Sequence, residues 1–171
     1  GTNYTKELAQ FLKEELDNHP VSLSRLAKTV HLNGSQLSEI HKNNLSDYRS
    51  WDQRAHSDKW ILFPENIGDY LCLDETSLTY GEVSTIVTNA NAKTQKGCLV
   101  AIIDGVKSSE IIAVLERIPL KDREKVKEVS VDMASNMERA ARKSFPGVSI
   151  VTDRFHVAKL VNDAVQDIRV G

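Results

Sequence analysis

Apolar positions early in the chain recur at helical spacing. Leu8, Phe11, Leu12 and Leu16 form one stripe behind Thr5, a residue suited to cap a helix, and Asn18-His19-Pro20 ends the pattern. Ser22 or Ser24 can cap a second run through Thr29, residues 31–34 read as a turn, and Ser35 opens a third run to Lys42. Leu26 and Ala27 would then pack against Leu32, Leu37 and Ile40, which is the outline of a helix-turn-helix. From residue 70 the pattern changes to short apolar runs. Residues 70–73, 83–88 and 98–103 read as three strands joined by turns at Tyr80-Gly81 and across the polar stretch 89–97. An amphipathic helix follows from Ser108 to Pro119, then a charged bridge, a fourth strand at 126–131, a helix at 136–145, a fifth strand at 148–152 and a last helix from about Phe155 to Val170. A meander extended by two crossover units predicts an α/β fold: a mixed five-stranded sheet with helices on both faces. The expected division is a helix-turn-helix-like segment over 1–45, a turn-rich connector over 46–69 anchored by Trp51 and Trp60, and the α/β domain over 70–171.

Composition narrows the function classes. With 22 basic and 24 acidic side chains the chain is close to neutral, so no overall basic surface announces nucleic acid. Residues 1–60 hold eight of each sign, and the third helical run offers Ser35, Gln36, Ser38 and Glu39 to bases and Lys42 to a phosphate. A DNA-reading helix and a purely packing helical bundle both fit that segment. Cys72 and Cys98 lie in apolar runs without CxxC spacing and read as reduced core residues of a cytoplasmic protein. No apolar run is long enough to span a membrane. His19, His31, His41 and His56 have no zinc-site spacing.

Two strands run straight into an aspartate: Tyr70-Leu71-Cys72-Leu73 into Asp74, and Val129-Ser130-Val131 into Asp132. An ionised carboxylate at the end of a core strand costs free energy unless hydrogen bonds or a cation compensate it. With the first and fourth strands adjacent at the centre of the sheet, Asp74 and Asp132 converge across 58 residues of sequence. Paired carboxylates without cysteine or clustered histidine suit a hard cation, Mg²⁺ or Mn²⁺, and two such ions support phosphodiester chemistry.

The blocks LCLDETS, VSVDMASN and IVTDRFHVAKLVNDAVQDIR, in a ribonuclease-H-like order of elements, resemble the catalytic domain of bacterial insertion-sequence transposases of the DDE class. Their DRFH motif is similar to that of the Mutator-like and hAT groups. The resemblance covers about residues 60–171. It implies that Asp74 and Asp132 are the first two catalytic aspartates and that Asp153 and His156 form the DxxH signature, with either a positioning or a catalytic part. It also implies two-metal cutting and joining of DNA at terminal inverted repeats, by a homo-oligomer. The family's third acid, a Glu on a later helix, would lie past Gly171, so this chain is expected to be an N-terminal portion that is inactive alone. The alternative is a non-catalytic DNA-binding regulator derived from a transposase.

Overall fold

The helices of the first third begin where a side chain can accept from their own free N–H groups. In a computed structural model of the chain, Thr5 caps α1 (Lys6–Asn18) by accepting from the Leu8 N–H at 3.2 Å, and Ser22 caps α2 (Leu23–Thr29) by accepting from Arg25 at 3.3 Å. α3 (Gly34–Ile40) starts one residue earlier than Ser35. Asn33 caps it, accepting from the Ser35 N–H at 2.9 Å, while the Gln36 side chain reaches back to accept from the Asn33 N–H at 3.2 Å. Past Ile40 the helix widens into a single π turn, His41–Leu45, which carries Leu45 inward. Leu12, Leu26, Ala27, Leu37 and Leu45 form the core of this unit, Gly1–Ala55. The structure describes residues 4–19, 21–79, 81–93, 95–132, 134–154, 157–158, 161–162, 165–166 and 169. The expected roles of Pro20, Tyr80 and His156 lie outside them.

The second unit, His56–Gly171, is built on one sheet. Its strands are β1 (Trp60–Leu62), β2 (Tyr70–Thr79), β3 (Glu82–Asn89), β4 (Leu99–Asp104), β5 (Glu128–Val131) and β6 (Ser149–Thr152), in the order β1-β4-β3-β2-β5-β6. β2, β3 and β4 are the antiparallel meander, and β5 and β6 add to β2 in parallel. The sheet has six strands, one more than the expected five: β1 pairs antiparallel with β4 at its edge, inside the stretch read as connector. β2 is also longer than its apolar run, because its pairing with β3 continues through Asp74, Glu75, Thr76 and Ser77.

α4 (Ser108–Leu115) and α6 (Ser135–Ser144) pack together on one face of the sheet, with the short α5 (Leu120–Arg123) in the charged bridge. Ile111, Leu115, Ile118, Met137, Ala140, Ala141 and Phe145 join Leu71, Leu73, Val87, Val129 and Val131 in one buried apolar core. The chain is helical again at Arg154, and the described side chains of that last helix are exposed.

Two details fix the central register. At the start of the parallel pair, the Asp69 carbonyl accepts from the Lys127 and Glu128 N–H groups at 2.8 and 3.1 Å, and Lys127 Nζ donates to the Asp69 carboxylate at 2.7 Å. Upstream, the Asn89 carboxamide donates to the Asn66 carbonyl at 2.9 Å, and Asn66 donates to Leu99 at 2.6 Å. Gly68 lies against that carboxamide so closely that a Cβ would fall 2.6 Å from it, which explains the glycine just before β2.

Candidate functional site

A strand's alternation decides which carboxylates share a face. Leu71 and Leu73 of β2 point into the core under α6, so Tyr70, Cys72 and Asp74 point to the opposite face. β5 obeys the same rule with Val129 and Val131 buried and Ser130 on the other side. The parallel pairing sets Cys72 opposite Ser130 and Leu73 opposite Val131, so the next residues on the two strands are Asp74 and Asp132. The last paired residues before them, Leu73 and Val131, lie at the spacing of adjacent strands, about 5 Å. Asp74 is not at the end of β2, as the sequence suggests, but at the point where β2 leaves β5 and continues with β3 alone.

β6 extends the row. It sets Val151 opposite Ser130 and Thr152 opposite Val131, and the Asp153 N–H donates to the Val131 carbonyl at 2.9 Å. Three parallel strands thus each pass into an aspartate at one level: Asp74, Asp132 and Asp153. Asp153 also sits at the head of the last helix, its carbonyl accepting from the Val157 N–H at 3.3 Å. The sequence marked it only as part of the DRFH block, whose Phe155 and His156 lie outside the described residues.

The half-buried Cys72 thiol lies behind Asp74 on the same face. Burial pushes its pKa up, the Asp74 and Asp153 charges add to that, and Lys93 opposes them. Cys72 therefore senses the first and third aspartates together. The carboxylates beside it are hard oxygen donors, the kind that Mg²⁺ and Mn²⁺ take. The Asp74 carboxylate accepts from the Glu75 N–H at 2.8 Å. Among the described residues no three His, Cys, Asp or Glu side chains are gathered as a ready-made metal cage. Mg²⁺ does not need one, since it commonly keeps several waters and binds through one or two carboxylates. The residues present fit that ion.

In the first unit the four residues proposed to touch DNA divide into two pairs. Ser35 and Gln36 are exposed but engaged in the cap of α3, the Ser35 hydroxyl donating to Asn33 Oδ1 at 2.6 Å. Ser38 and Lys42 are exposed further along, Lys42 Nζ lying 4.6 Å from the centre of the Tyr48 ring. Among the described residues no helix is long and apolar enough to cross a membrane.

The mixed α/β sheet, in which β4-β3-β2-β5-β6 follow the ribonuclease-H-like order, is consistent with the fold of DDE transposases. The sequence model of the ISL3 family of DDE transposases, described as a transposase, matches residues 71–171. The chain belongs to that family. No curated protein matches it closely.

Proposed function

We propose that the chain acts on double-stranded DNA in the cytoplasm, cutting and joining phosphodiester bonds at the terminal inverted repeats of its element. The single observation that supports this reading is the register that pairs Leu73 with Val131, each one residue ahead of an aspartate, Asp74 and Asp132. Like charges side by side are unfavourable without a counter-ion, and hard oxygens select Mg²⁺ or Mn²⁺. When bound, such ions activate an attacking oxygen and stabilise the leaving one. Asp74 and Asp132 would hold them, with Asp153 near enough in register to serve as a further carboxylate or to orient a bound water. The rigid strands keep the first two carboxyl groups in place, so little ordering is left for the moment of reaction.

The helical segment over residues 1–45 is the natural place for reading duplex DNA. α3 offers Ser35, Gln36, Ser38 and Lys42, although capping already engages the first two, which puts more of the contact on Ser38 and Lys42. A homo-oligomer fits an element with two ends.

Calorimetric titration of the full chain with Mn²⁺ tests the metal site. Binding heat is expected for the native chain and is expected to vanish in Asp74→Asn and in Asp132→Asn. Unchanged affinity in both variants would overturn the reading and favour a non-catalytic DNA-binding protein built on the same fold.

A further inference from the structure

We propose that a recess in the first unit, lined by His41, Lys42, Ser46, Asp47, Tyr48 and Trp51, seats an unpaired base of single-stranded DNA on Trp51. The inference rests on the reading that this chain handles DNA, but it does not use the metal site.

The local backbone builds the recess. The π turn His41–Leu45 puts one extra residue into the helix, buries Leu45 and leaves Lys42 outside. The Ser46 N–H closes that turn on the His41 carbonyl at 2.8 Å, and the Ser46 hydroxyl accepts from the Tyr48 N–H at 3.4 Å to start the next short helical turn, Asp47–Arg49. The result is an open hollow of about 420 Å³.

Its walls have the chemistry of a base-stacking platform. The Trp51 and Tyr48 rings lie 6.4 Å apart at 44°. Lys42 Nζ is 4.6 Å from the Tyr48 ring centre, and the Arg54 guanidinium is 5.7 Å from it. Arg54 also donates to the Arg49 carbonyl at 3.3 Å, which holds it at this end of the recess. Proteins that hold single strands combine aromatic faces for bases with cations for the backbone.

The other tryptophan shows what a closed-off ring looks like. Trp60 is stacked on His56 at 3.4 Å and 11°, with Arg117 over it at 4.5 Å. Among the described residues the half-buried Trp51 ring has one aromatic contact, the tilted one with Tyr48, and no cation over it.

Charge points the same way. α1 holds Glu7, Glu14, Glu15 and Asp17 against Lys6 and Lys13, whereas residues 19–55 hold Arg25, Lys28, Lys42, Arg49 and Arg54 against Glu39, Asp47 and Asp52. The neutral total conceals a basic half, and the recess lies in it. Asp47 is the one carboxylate in the lining. It would face a base edge, with His41 and Ser46, rather than a phosphate.

Fluorescence anisotropy of a labelled twelve-nucleotide oligo-dT with the full chain, in EDTA at fixed salt, is the test, with a duplex of equal length alongside. Trp51→Leu is expected to weaken oligo-dT binding about 5- to 150-fold, the loss of one stacked base, and duplex binding less than twofold. Trp51→Phe should regain most of the affinity. In Trp60→Phe, which leaves Trp51 as the single tryptophan, oligo-dT should quench the emission. That reading also decides the matter if Trp51→Leu fails to fold. No oligo-dT binding by the native chain, unchanged binding in Trp51→Leu, equal losses for both DNA forms, or unquenched emission would each overturn the proposal. Because EDTA removes divalent ions, such a failure leaves the Asp74 and Asp132 reading standing, and loss of Mn²⁺ binding in those variants leaves stacking on Trp51 untouched.

Discussion

Asp132→Asn is expected to stabilise the metal-free protein and to abolish its stabilisation by magnesium. Without a cation, Asp74 and Asp132 are like charges on neighbouring strands. Removing one charge is expected to relieve at most about 1 kcal/mol, the repulsion of two unit charges about 4 Å apart in water, while Asn keeps the shape and an acceptor oxygen. With the ion present the sign reverses. A ligand that binds only the folded state at a hundred times its dissociation constant adds about 2.7 kcal/mol, on the order of 10 °C in melting temperature for a unit of this size. Thermal unfolding with and without saturating Mg²⁺ should show that rise in the native chain and none in Asp132→Asn. Equal rises in both would mean that the cation binds elsewhere.

The second large effect is expected from Phe145→Ala. Phe145 is fully buried just past the end of α6, in the core that α6 forms against β2, β5 and β6. Truncating a buried Phe removes its transfer free energy and leaves a cavity, about 3–5 kcal/mol in all. The same three strands carry Asp74, Asp132 and Asp153, so the variant should lose magnesium stabilisation together with fold stability. Leu120→Ala, at a half-exposed position outside that core, should change stability by about 0.5 kcal/mol or less. Denaturant unfolding of both variants checks the contrast, and a cost near zero for Phe145→Ala would contradict the packing described above.

These expectations depend on features that differ in how plainly the sequence shows them. The short apolar runs at 83–88 and 98–103 and the alternation of Val129 and Val131 with Glu128 and Ser130 announce β3, β4 and β5, whose buried residues pack against α4 and α6. β1 stays hidden, since three residues of Trp-Ile-Leu are too few to display a period and only pairing with β4 makes them a strand. β2 runs past its apolar stretch because hydrogen bonds to β3, not hydrophobic burial, hold Glu75, Thr76 and Ser77 in line. At the site, Asp74 and Asp132 are legible because each interrupts an apolar run. Asp153 enters the sequence reading only through the DRFH block, because its place in the same row depends on the parallel register of β6, which no local pattern encodes. The Tyr48 and Trp51 recess is equally silent in the sequence, since a π turn inserted after α3 creates it.

Anomalous diffraction from a crystal of the full chain soaked in Mn²⁺ tests the central claim most directly. The account predicts a peak about 2 Å from a carboxylate oxygen of Asp74 and from one of Asp132, on the face of β2 that carries Cys72. A soaked crystal with its manganese bound only elsewhere, and none between these two side chains, would contradict it.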